Sequence, residues 1–329
     1  MKERQYVAKT LQGLENVLAE EIISLGGTEI EIGNRYVEFT ATKRVLYRIN
    51  YRVYTAIRIL ESFKKFTFEN INEFYDQLRD IKWDIIIQPN QTIAVDASVF
   101  NSNPFNNSHF AELKAKDAIV DYFRDNFNTR PGVSKDNPSL LVNLFVHGNF
   151  CHVSLDTSGT PLYKRNYREL LHEASINEVL AAGMIRLSGW DGKGYFYDPM
   201  CGSGTIAIEA ALFAQKIPAG FYRKEWGFMN WKSFEPLLWD EIVAESIEEV
   251  DPSDFKIIAS DVSAQAIRIA RKNLAKSRMM KTIVLKQSSF DSLRPESDNG
   301  ILIFNPPYNV RLPLEDIIDF YKSIGNHLK

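Results

Sequence analysis

The stretch that decides the fold of this chain is Asp198-Pro199-Met200-Cys201-Gly202-Ser203-Gly204-Thr205. It follows an apolar run at residues 195–197 and opens a helical pattern over residues 205–215. Two glycines without side chains allow a ligand to approach the backbone closely at this turn. In a sheet of parallel strands, ligands bind at this carboxyl edge. The stretch therefore predicts an α/β fold with a ligand-binding loop after its first strand.

The sequence after this loop continues the alternation of strands and helices. Apolar runs predict further strands at residues 256–261, 282–286 and 301–305, and a helix at residues 314–328. Helices between successive strands are typical of a parallel sheet that is buried on both faces.

The glycine loop fits neither of two common phosphate loops. A dinucleotide-binding loop has the pattern G-x-G-x-x-G, whereas Ile206 and Ala207 stand near the place of the third glycine. A P-loop has a lysine after its glycines, and none follows here. The remaining alternatives are a cofactor loop of another kind and a plain tight turn.

Asp261 ends the second predicted strand, and two roles are open to it. A carboxylate has two acceptor oxygens, so it can accept hydrogen bonds from both hydroxyls of a ribose. Alternatively it caps the following helix, although Ser263 would serve equally well. The glycine loop and Asp261 together predict a cofactor that contains a nucleoside.

The most discriminating motif is Asn305-Pro306-Pro307-Tyr308, after the fourth predicted strand. The Asn305 side-chain oxygen and the Pro306 carbonyl can both accept hydrogen bonds from the exocyclic amine of a base. This orients the nitrogen lone pair and stabilises the positive charge that develops during transfer. Two prolines stiffen the backbone, and Tyr308 offers a stacking face. The motif predicts methylation of an amine without a metal ion; the alternative is a turn that happens to contain two prolines.

Composition limits the class of protein. With 45% hydrophobic and 25% charged residues the 329-residue chain is globular rather than disordered. A net charge of -3 argues against a basic surface over the whole molecule. Two cysteines exclude a disulfide scaffold and a zinc site built from cysteines. Because we find no signal peptide and no apolar run long enough to cross a membrane, we expect a cytoplasmic protein.

The residues before 160 predict shorter α and β elements, with a hairpin around Gly33-Asn34. We divide the chain at residues 1–65, 66–159, 160–192 (a connector and a helix) and 193–329. Residues 43–65 are strongly basic. Two interpretations are open, a solvated face of a helix and a surface that binds RNA phosphates, and we favour the solvated face. The same two alternatives apply to the basic run at residues 268–286. We expect the acidic residues 240–254 to be solvated and the aromatic residues of 221–239 to pack in a core, with a base-stacking lid as the alternative.

Residues 198–210, Asp261 and 305–308 resemble the class I S-adenosyl-L-methionine-dependent methyltransferases that methylate exocyclic amino groups. Further segments resemble a THUMP domain, an RNA-binding module (residues 116–121, 130–131 and 153–159), its junction to the methyltransferase (162–168), and the insert of that family (217–220 and 231–234). Over nearly its whole length the chain is similar to bacterial THUMP methyltransferases that make N2-methylguanine in large-subunit rRNA. These are often labelled N6-adenine-specific DNA methylases from the N-P-P-Y motif alone.

The resemblance implies a Rossmann-like class I methyltransferase domain at 193–329, a THUMP domain at 66–159 and a ferredoxin-like α+β segment at 1–65. It implies S-adenosyl-L-methionine as cofactor and RNA as partner, either 23S rRNA or a ribosome assembly intermediate. The implied cofactor-binding residues are Asp198, Met200, Cys201, Gly202, Ser203, Gly204, Thr205, Asp261, Ser289 and Phe290. The implied catalytic residues are Asn305, Pro306, Pro307 and Tyr308. Candidate RNA contacts are Lys114, Lys116, Arg130 and Lys135.

Two departures from the family pattern stand out. The family often has an acid after the third strand, where this chain has Ser288-Ser289-Phe290 followed by Asp291. The family's sheet also has seven strands, of which this chain supplies four, so we expect three C-terminal strands to be missing. Rival functions are an adenine-N6 DNA methyltransferase and a non-catalytic RNA-binding adaptor.

Overall fold

The structure is a computed structural model that describes residues 2–170, 175–251, 254–297, 299–307 and 314–328. In chain order its strands and helices are β1 (Arg4–Lys9), α1 (Glu15–Ser24), β2 (Thr28–Gly33), β3 (Tyr36–Ala41), α2 (Lys43–Arg52), β4 (Arg58–Thr67), α3 (Ile71–Arg79), β5 (Thr92–Phe100), α4 (Ser108–Phe127), β6 (Gly132–Val133), β7 (Leu140–His147), β8 (Phe150–Asp156), α5 (Glu178–Leu187), β9 (Gly194–Asp198), α6 (Thr205–Ala214), α7 (Pro236–Glu248), β10 (Phe255–Asp261), α8 (Ala264–Lys276), β11 (Ile283–Gln287), β12 (Gly300–Leu302) and α9 (Leu314–His327).

The chain divides into two compact units. The N-terminal unit comprises Met1–Asn50, Ala56–Leu162 and Lys224–Ala244. The C-terminal unit comprises Tyr51–Thr55, Tyr163–Arg223 and Glu245–Lys329. No helix in the described ranges is long and apolar enough to cross a membrane.

One eight-stranded sheet organises the N-terminal unit, in the order β2-β3-β1-β4-β8-β7-β5-β6. The hairpin predicted around Gly33-Asn34 is confirmed, because β2 pairs antiparallel with β3. Strand β4 pairs with β1 on one side and β8 on the other, so the sheet is continuous across residue 65. The divisions at residues 65, 159 and 192 remain proposals about domain organisation.

Helix α4 packs on β5 through a stripe of small residues. Ala111, Ala115 and Ala118 are fully buried, and their small size lets the helix approach the sheet closely. Leu113 and Phe127 share helical spacing with the buried Val120 and Phe123, but both are exposed. The alanines, offset from these two around the helix, occupy the contact instead.

Aromatic residues of the segment Lys224–Ala244 form a core with α2. The Tyr47 ring stacks on Phe228 with centroids 4.5 Å apart, and Trp239 meets Tyr47 edge-on at 5.8 Å. Trp226 packs against Trp239 at 4.6 Å, and all four rings are buried. Core packing, as predicted, is confirmed for these residues.

The basic residues of α2 are largely paired with acids. Lys43 pairs with Glu235, and the Arg44 guanidinium lies 3.1 Å from the Glu241 carboxylate. Within the C-terminal unit, Arg52 lies 2.9 Å from Glu249. The side chains of Glu241 and Glu249 remain 62% and 55% exposed, so the solvated face predicted for residues 240–254 is confirmed, and these two acids also pair with cations that are distant in sequence.

The C-terminal unit has a four-stranded parallel sheet in the order β11-β10-β9-β12. The central strands β9 and β10 are buried, as Phe196, Ile257 and Ala259 show. The described edge strands β11 and β12 are partly exposed, so burial on both faces holds only for the centre of the sheet.

Strand β12 is shorter than the predicted 301–305. Only Gly300–Leu302 pair with β9, and one more hydrogen bond runs from the Ile303 N–H to the Tyr197 carbonyl at 3.0 Å. Pro306 and Pro307 have no N–H with which to continue the ladder. The prolines prevent pairing beyond Asn305, but the paired strand already ends three residues before Asn305, at Leu302.

Candidate active site at the carboxyl edge of the parallel sheet

The glycine loop runs from the end of β9 to the start of α6. Gly202 and Gly204 have φ angles of 52° and 81°, in the left-handed region that favours glycine. A Cβ atom on Gly204 would come within 3.1 Å of Leu274 Cδ1, whereas a Cβ on Gly202 would meet no atom within 4 Å. Gly204 thus permits close packing against α8, and Gly202 leaves space on the ligand side.

Asp261 holds this loop in place. One carboxylate oxygen accepts the Gly202 N–H at 2.9 Å, and the other accepts the Ser263 N–H at 2.9 Å. The N-cap of α8 is Ser263, whose hydroxyl accepts the Ala266 N–H at 3.3 Å, so the capping role considered for Asp261 was wrong. Each carboxylate oxygen keeps a second lone pair with which it can accept a ligand hydroxyl.

A cavity of about 380 Å³ opens beside the loop, within the size range of small-ligand sites. It brings together most of the predicted site residues: Met200, Cys201, Gly202, Ser203, Thr205, Asp261, Ser289, Phe290, Asn305 and Pro307. Asp198, Gly204 and Pro306 do not line its wall. Tyr308 lies outside the described residues.

Asp198 lies beneath the loop, fully buried. Burial raises the pKa of its carboxyl group to about 8, with a smaller contribution from the negative charge of Asp261. Nearby amides of Met200 and Ala207 oppose this rise only in part. Among the residues that the structure describes, neither carboxylate oxygen has a hydrogen-bond partner of normal geometry.

The far end of the cavity is formed after β11. Phe290 is buried, with its ring centroid 5.4 Å from that of Phe304 and 5.2 Å from that of His327. Asp291 also lines the cavity, and its carboxylate accepts a hydrogen bond from the Ser323 hydroxyl at 2.8 Å. An acid, Asp291, therefore lines the cavity one position after Ser289 and Phe290, the residues that we assigned to cofactor binding.

The residues after 160 are tied to the glycine loop. The Asn273 amide donates to the Ser203 carbonyl at 3.0 Å and accepts from the Glu169 N–H at 2.9 Å. The Arg168 guanidinium donates to the Thr205 hydroxyl at 3.1 Å, and the Ser175 hydroxyl donates to that of Ser203 at 2.9 Å. The predicted connector therefore supports the glycine loop through these hydrogen bonds.

Sequence reasoning missed part of the cavity wall. The missed residues are Ser175, Ile176, Pro199, Ile206, Val262, Ser263, Ala266, Asp291, Phe320 and Ser323. Pro199, Val262 and Ser263 directly adjoin residues that we did assign, so proximity along the chain was an available signal. Phe320 and Ser323 come from α9, and no local pattern distinguishes them from other residues of an amphipathic helix.

The candidate RNA contacts belong to the N-terminal unit. Lys114 and Lys116 lie two positions apart on α4, about 200° around the helix, so they project in different directions. The Lys114 ammonium lies 5.9 Å from the Phe110 ring centroid, and that of Lys116 lies 3.5 Å from the Asp117 carboxylate. Arg130 and Lys135 are exposed. These positions leave the RNA role of the four residues a proposal.

Comparison with known families divides the chain into three matched regions. Residues 5–60 match the RlmL ferredoxin-like domain, and residues 68–156 match the THUMP domain. Residues 165–329 match the RMKL-like methyltransferase domain. The matches follow the order of elements described above.

Similar proteins extend over most of the chain. A Synechocystis protein, named provisionally as an RNA methyltransferase, is 32% identical over 335 residues, covering 99% of this chain and 85% of that protein. The Vibrio campbellii ribosomal RNA large subunit methyltransferase K/L is 33% identical over 99% of this chain, which spans only 47% of that protein. A solved structure of a provisionally named methyltransferase, complexed with S-adenosylhomocysteine, has a TM-score of 0.88 at 27% sequence identity. The superposition covers 99% of this chain and 86% of the chain in that structure.

The family match covers half of the chain, and the Synechocystis protein is matched over most of its length. This chain therefore belongs to the family of RMKL-like methyltransferase domains, preceded by a THUMP domain and an RlmL ferredoxin-like domain.

Proposed function

We propose that this protein transfers the methyl group of S-adenosyl-L-methionine to the N2 amino group of a guanine in 23S rRNA. The observation that carries the proposal is that one cavity holds the glycine loop, Asp261 and Asn305 together. The name of the Vibrio campbellii relative supports rRNA as the substrate, and the neighbour complexed with S-adenosylhomocysteine supports the cofactor.

The residues of the loop side fit the cofactor. Asp261 has free acceptor capacity for ribose hydroxyls, and Phe290 with Asp291 forms a partly apolar, partly polar pocket suited to a base. The carboxylate of Asp198 has no hydrogen-bond partner of normal geometry among the described residues, but it does not line the cavity, so its contact with a cationic group of the cofactor is proposed from the resemblance alone. When bound there, the cofactor supplies an electrophilic methyl group on a sulfonium.

The Asn305 side would hold the base that receives the methyl group. Its side-chain oxygen and the Pro306 carbonyl accept hydrogen bonds from the exocyclic amine, and so direct the nitrogen lone pair toward the cofactor. As the nitrogen gains positive charge, these acceptors bind it more strongly than in the ground state. Tyr308 is proposed to stack on the flipped base, as the sequence predicted.

The N-terminal unit is proposed to hold folded RNA. A THUMP domain at residues 68–156 supports RNA rather than DNA, so it disfavours the adenine-N6 DNA methyltransferase. Lys114, Lys116, Arg130 and Lys135 are the proposed phosphate contacts, on 23S rRNA or a ribosome assembly intermediate. Binding through phosphates should weaken steeply as salt concentration rises.

Mass spectrometry of nucleosides from a deletion strain tests the proposal. We expect N2-methylguanine to fall in large-subunit rRNA, and to return with the wild-type gene but not with Asn305→Ala. A loss of N6-methyladenine from DNA instead would support the DNA methyltransferase. Unchanged modification of both, with rRNA binding retained, would support the non-catalytic adaptor.

A further inference from the structure

The N-terminal sheet has one face that carries exposed aromatic rings. Along β7, Val142, Leu144 and Val146 are fully buried, whereas the intervening Phe145 is 43% exposed. Phe100, at the end of the adjacent β5, and Tyr36, at the start of β3, are also exposed. Because side chains alternate between the faces of a strand, Phe145 lies on the face opposite the buried valines and leucine. Large exposed rings on a sheet face need an explanation other than core packing.

The strand register gathers these rings with polar and basic side chains. Phe145 stands opposite His152 on β8 and Ser98 on β5, and His152 stands opposite Lys65 on β4. The Phe100 and Phe145 ring centroids are 5.8 Å apart. A cavity of about 340 Å³ runs over this face, and its wall includes Tyr36, Phe145, Phe150, Lys9, Arg35 and Lys65.

The charge of this cavity is predominantly positive. Lys9, Arg35 and Lys65 line it against one acid, Glu38. The Lys9 ammonium donates to the Asn143 side-chain oxygen at 3.1 Å, which fixes its position on the wall. Lys65 is exposed and forms no ion pair within the part of the chain that the structure describes. His152 is a neutral group at pH 7, because burial and the nearby Lys65 lower its pKa to about 4.

The cavity lies over the middle of the sheet, which decides between two classes of occupant. An extended peptide docks by adding a strand to a free sheet edge. Strand β8 is already paired with β4 and β7 on its two sides, so its backbone is not available for such pairing. Single-stranded RNA needs no backbone pairing, because its bases stack on rings and its phosphates meet cations.

We propose that this face, formed by Tyr36, Phe100, Phe145, Lys9 and Lys65, binds an unpaired segment of the RNA substrate. Bases stack on Phe145 and Phe100, and the backbone phosphates lie toward Lys65 and Arg35. The proposal rests on RNA being the substrate, and it adds a site separate in sequence from Lys114, Lys116, Arg130 and Lys135. It makes the sheet face a reader of unpaired nucleotides.

The test compares two exposed phenylalanines of the full-length protein. Phe145→Ala removes a ring of the proposed face, and Phe127→Ala removes a ring on α4 that is 42% exposed. The probe is a fluorescein-labelled single-stranded RNA of about eight nucleotides, read by anisotropy at low salt. We expect Phe145→Ala to weaken binding about 5- to 100-fold, while Phe127→Ala changes it less than about twofold.

A charge variant separates phosphate contact from a structural effect. Lys65→Gln should reduce the slope of log affinity against log salt by about 0.7, the value for one contact with a single strand. Equal losses in Phe145→Ala and Phe127→Ala, or an unchanged slope, would overturn the proposal. A competition experiment adds a further check. If polyglutamate displaced the labelled RNA at the same concentration of charged groups as unlabelled RNA does, the proposal would also be overturned, and the face would be a docking surface for protein.

Failure of this inference is distinguishable from failure of the proposed function. If rRNA is methylated normally and Phe145→Ala retains both the KM and the affinity for RNA, the sheet face is not the site and the methyltransferase assignment stands. If Phe145→Ala loses single-strand affinity while no N2-methylguanine depends on the protein, the sheet face binds RNA and the proposed reaction is wrong.

Discussion

The two sides of the active-site cavity are held in different ways. On one side the glycine loop follows the buried central strand β9, donates a hydrogen bond to Asp261, and accepts hydrogen bonds from Asn273 and Arg168. On the other side, Asn305 is half-buried and follows β12, an edge strand of three residues paired only with β9 in the described sheet.

This difference assigns different physical roles to the two sides. Substitution of Asp261, whose carboxylate both anchors the loop and lines the cavity, should change both stability and cofactor affinity. Substitution of Asn305 should leave folding nearly unchanged, because a half-buried side chain beyond the strand end contributes little to the core. The following predictions test this contrast.

The largest effect is expected on catalysis, from Asn305→Ala. Removing a preorganised partner of the developing charge typically lowers the rate about 10²- to 10³-fold. The melting temperature and the affinity for S-adenosylhomocysteine should stay the same. Tritiated methyl transfer to undermodified ribosomal RNA, together with a thermal melt and a calorimetric titration, measures all three. A variant that melts much earlier but keeps its rate would show that the motif is a structural turn.

Asp198 should make the stability of the ligand-free protein depend on pH. Its folded pKa of about 8 exceeds the ordinary value of 3.8, so between these values the folded state binds more protons than the unfolded state. Stability therefore falls as pH rises from about 4 toward about 8, and no penalty exists below the unfolded pKa.

Asp198→Asn removes this charge and should abolish its contribution to the pH dependence. We expect the gain of the variant over the wild type to begin near pH 4 and to be larger near pH 8 than near pH 5 by up to about 4 kcal/mol, since each pKa unit corresponds to about 1.4 kcal/mol. Chemical denaturation at the two pH values measures the difference. The same variant should bind S-adenosylhomocysteine more weakly, since the carboxylate is proposed to face a cationic group. A gain of equal size at both pH values would show that the carboxyl ionisation is not the cause.

Asp261 should affect cofactor binding through two routes. Asp261→Ala removes acceptors for the ribose and also the anchor of the Gly202 N–H, and we expect a loss of about 1–3 kcal/mol in affinity for S-adenosylhomocysteine. Asp261→Asn retains one acceptor oxygen and should lose less. Calorimetric titration compares the two. Unchanged affinity in both variants would remove Asp261 from the binding site.

Local pattern was sufficient for the central elements of the fold. Strand β9, the glycine loop and α6 follow from an apolar run, two glycines and a helical pattern, and Asp261 follows from its place at a strand end. The end of β12 was placed three residues too late, because apolarity of Ile303 and Phe304 does not report which backbone groups have a partner strand. The full burial of Asp198 could not be predicted either, because a sequence motif does not report the solvent exposure of its side chains.

Contacts between distant segments could not be derived from the sequence. The sequence left a solvated face and an RNA surface open for the cations of α2, and it did not reveal that Lys43 and Arg44 pair with acids more than 190 residues further along the chain. Phe320 and Ser323 reach the cavity only because α9 packs there. In each case the contact forms only in the folded chain, and residue spacing along the sequence does not predict it.

The smallest effect distinguishes the two glycines within the loop itself. Both have positive φ angles, so an alanine at either position carries a similar backbone strain of about 1 kcal/mol. Only at Gly204 would the added methyl group also approach another atom, Leu274 Cδ1 at 3.1 Å. We therefore expect Gly204→Ala to be less stable than Gly202→Ala by about 1 kcal/mol, since a well-packed contact resists one extra carbon. Affinity should show the opposite order, because a methyl group on Gly202 would take up space in the cavity that Gly202 lines, whereas Gly204 does not line it. Denaturation midpoints and calorimetric titrations of the two variants would show this crossing, and a single variant that is worse in both measurements would mean that the loop folds and binds as one unit.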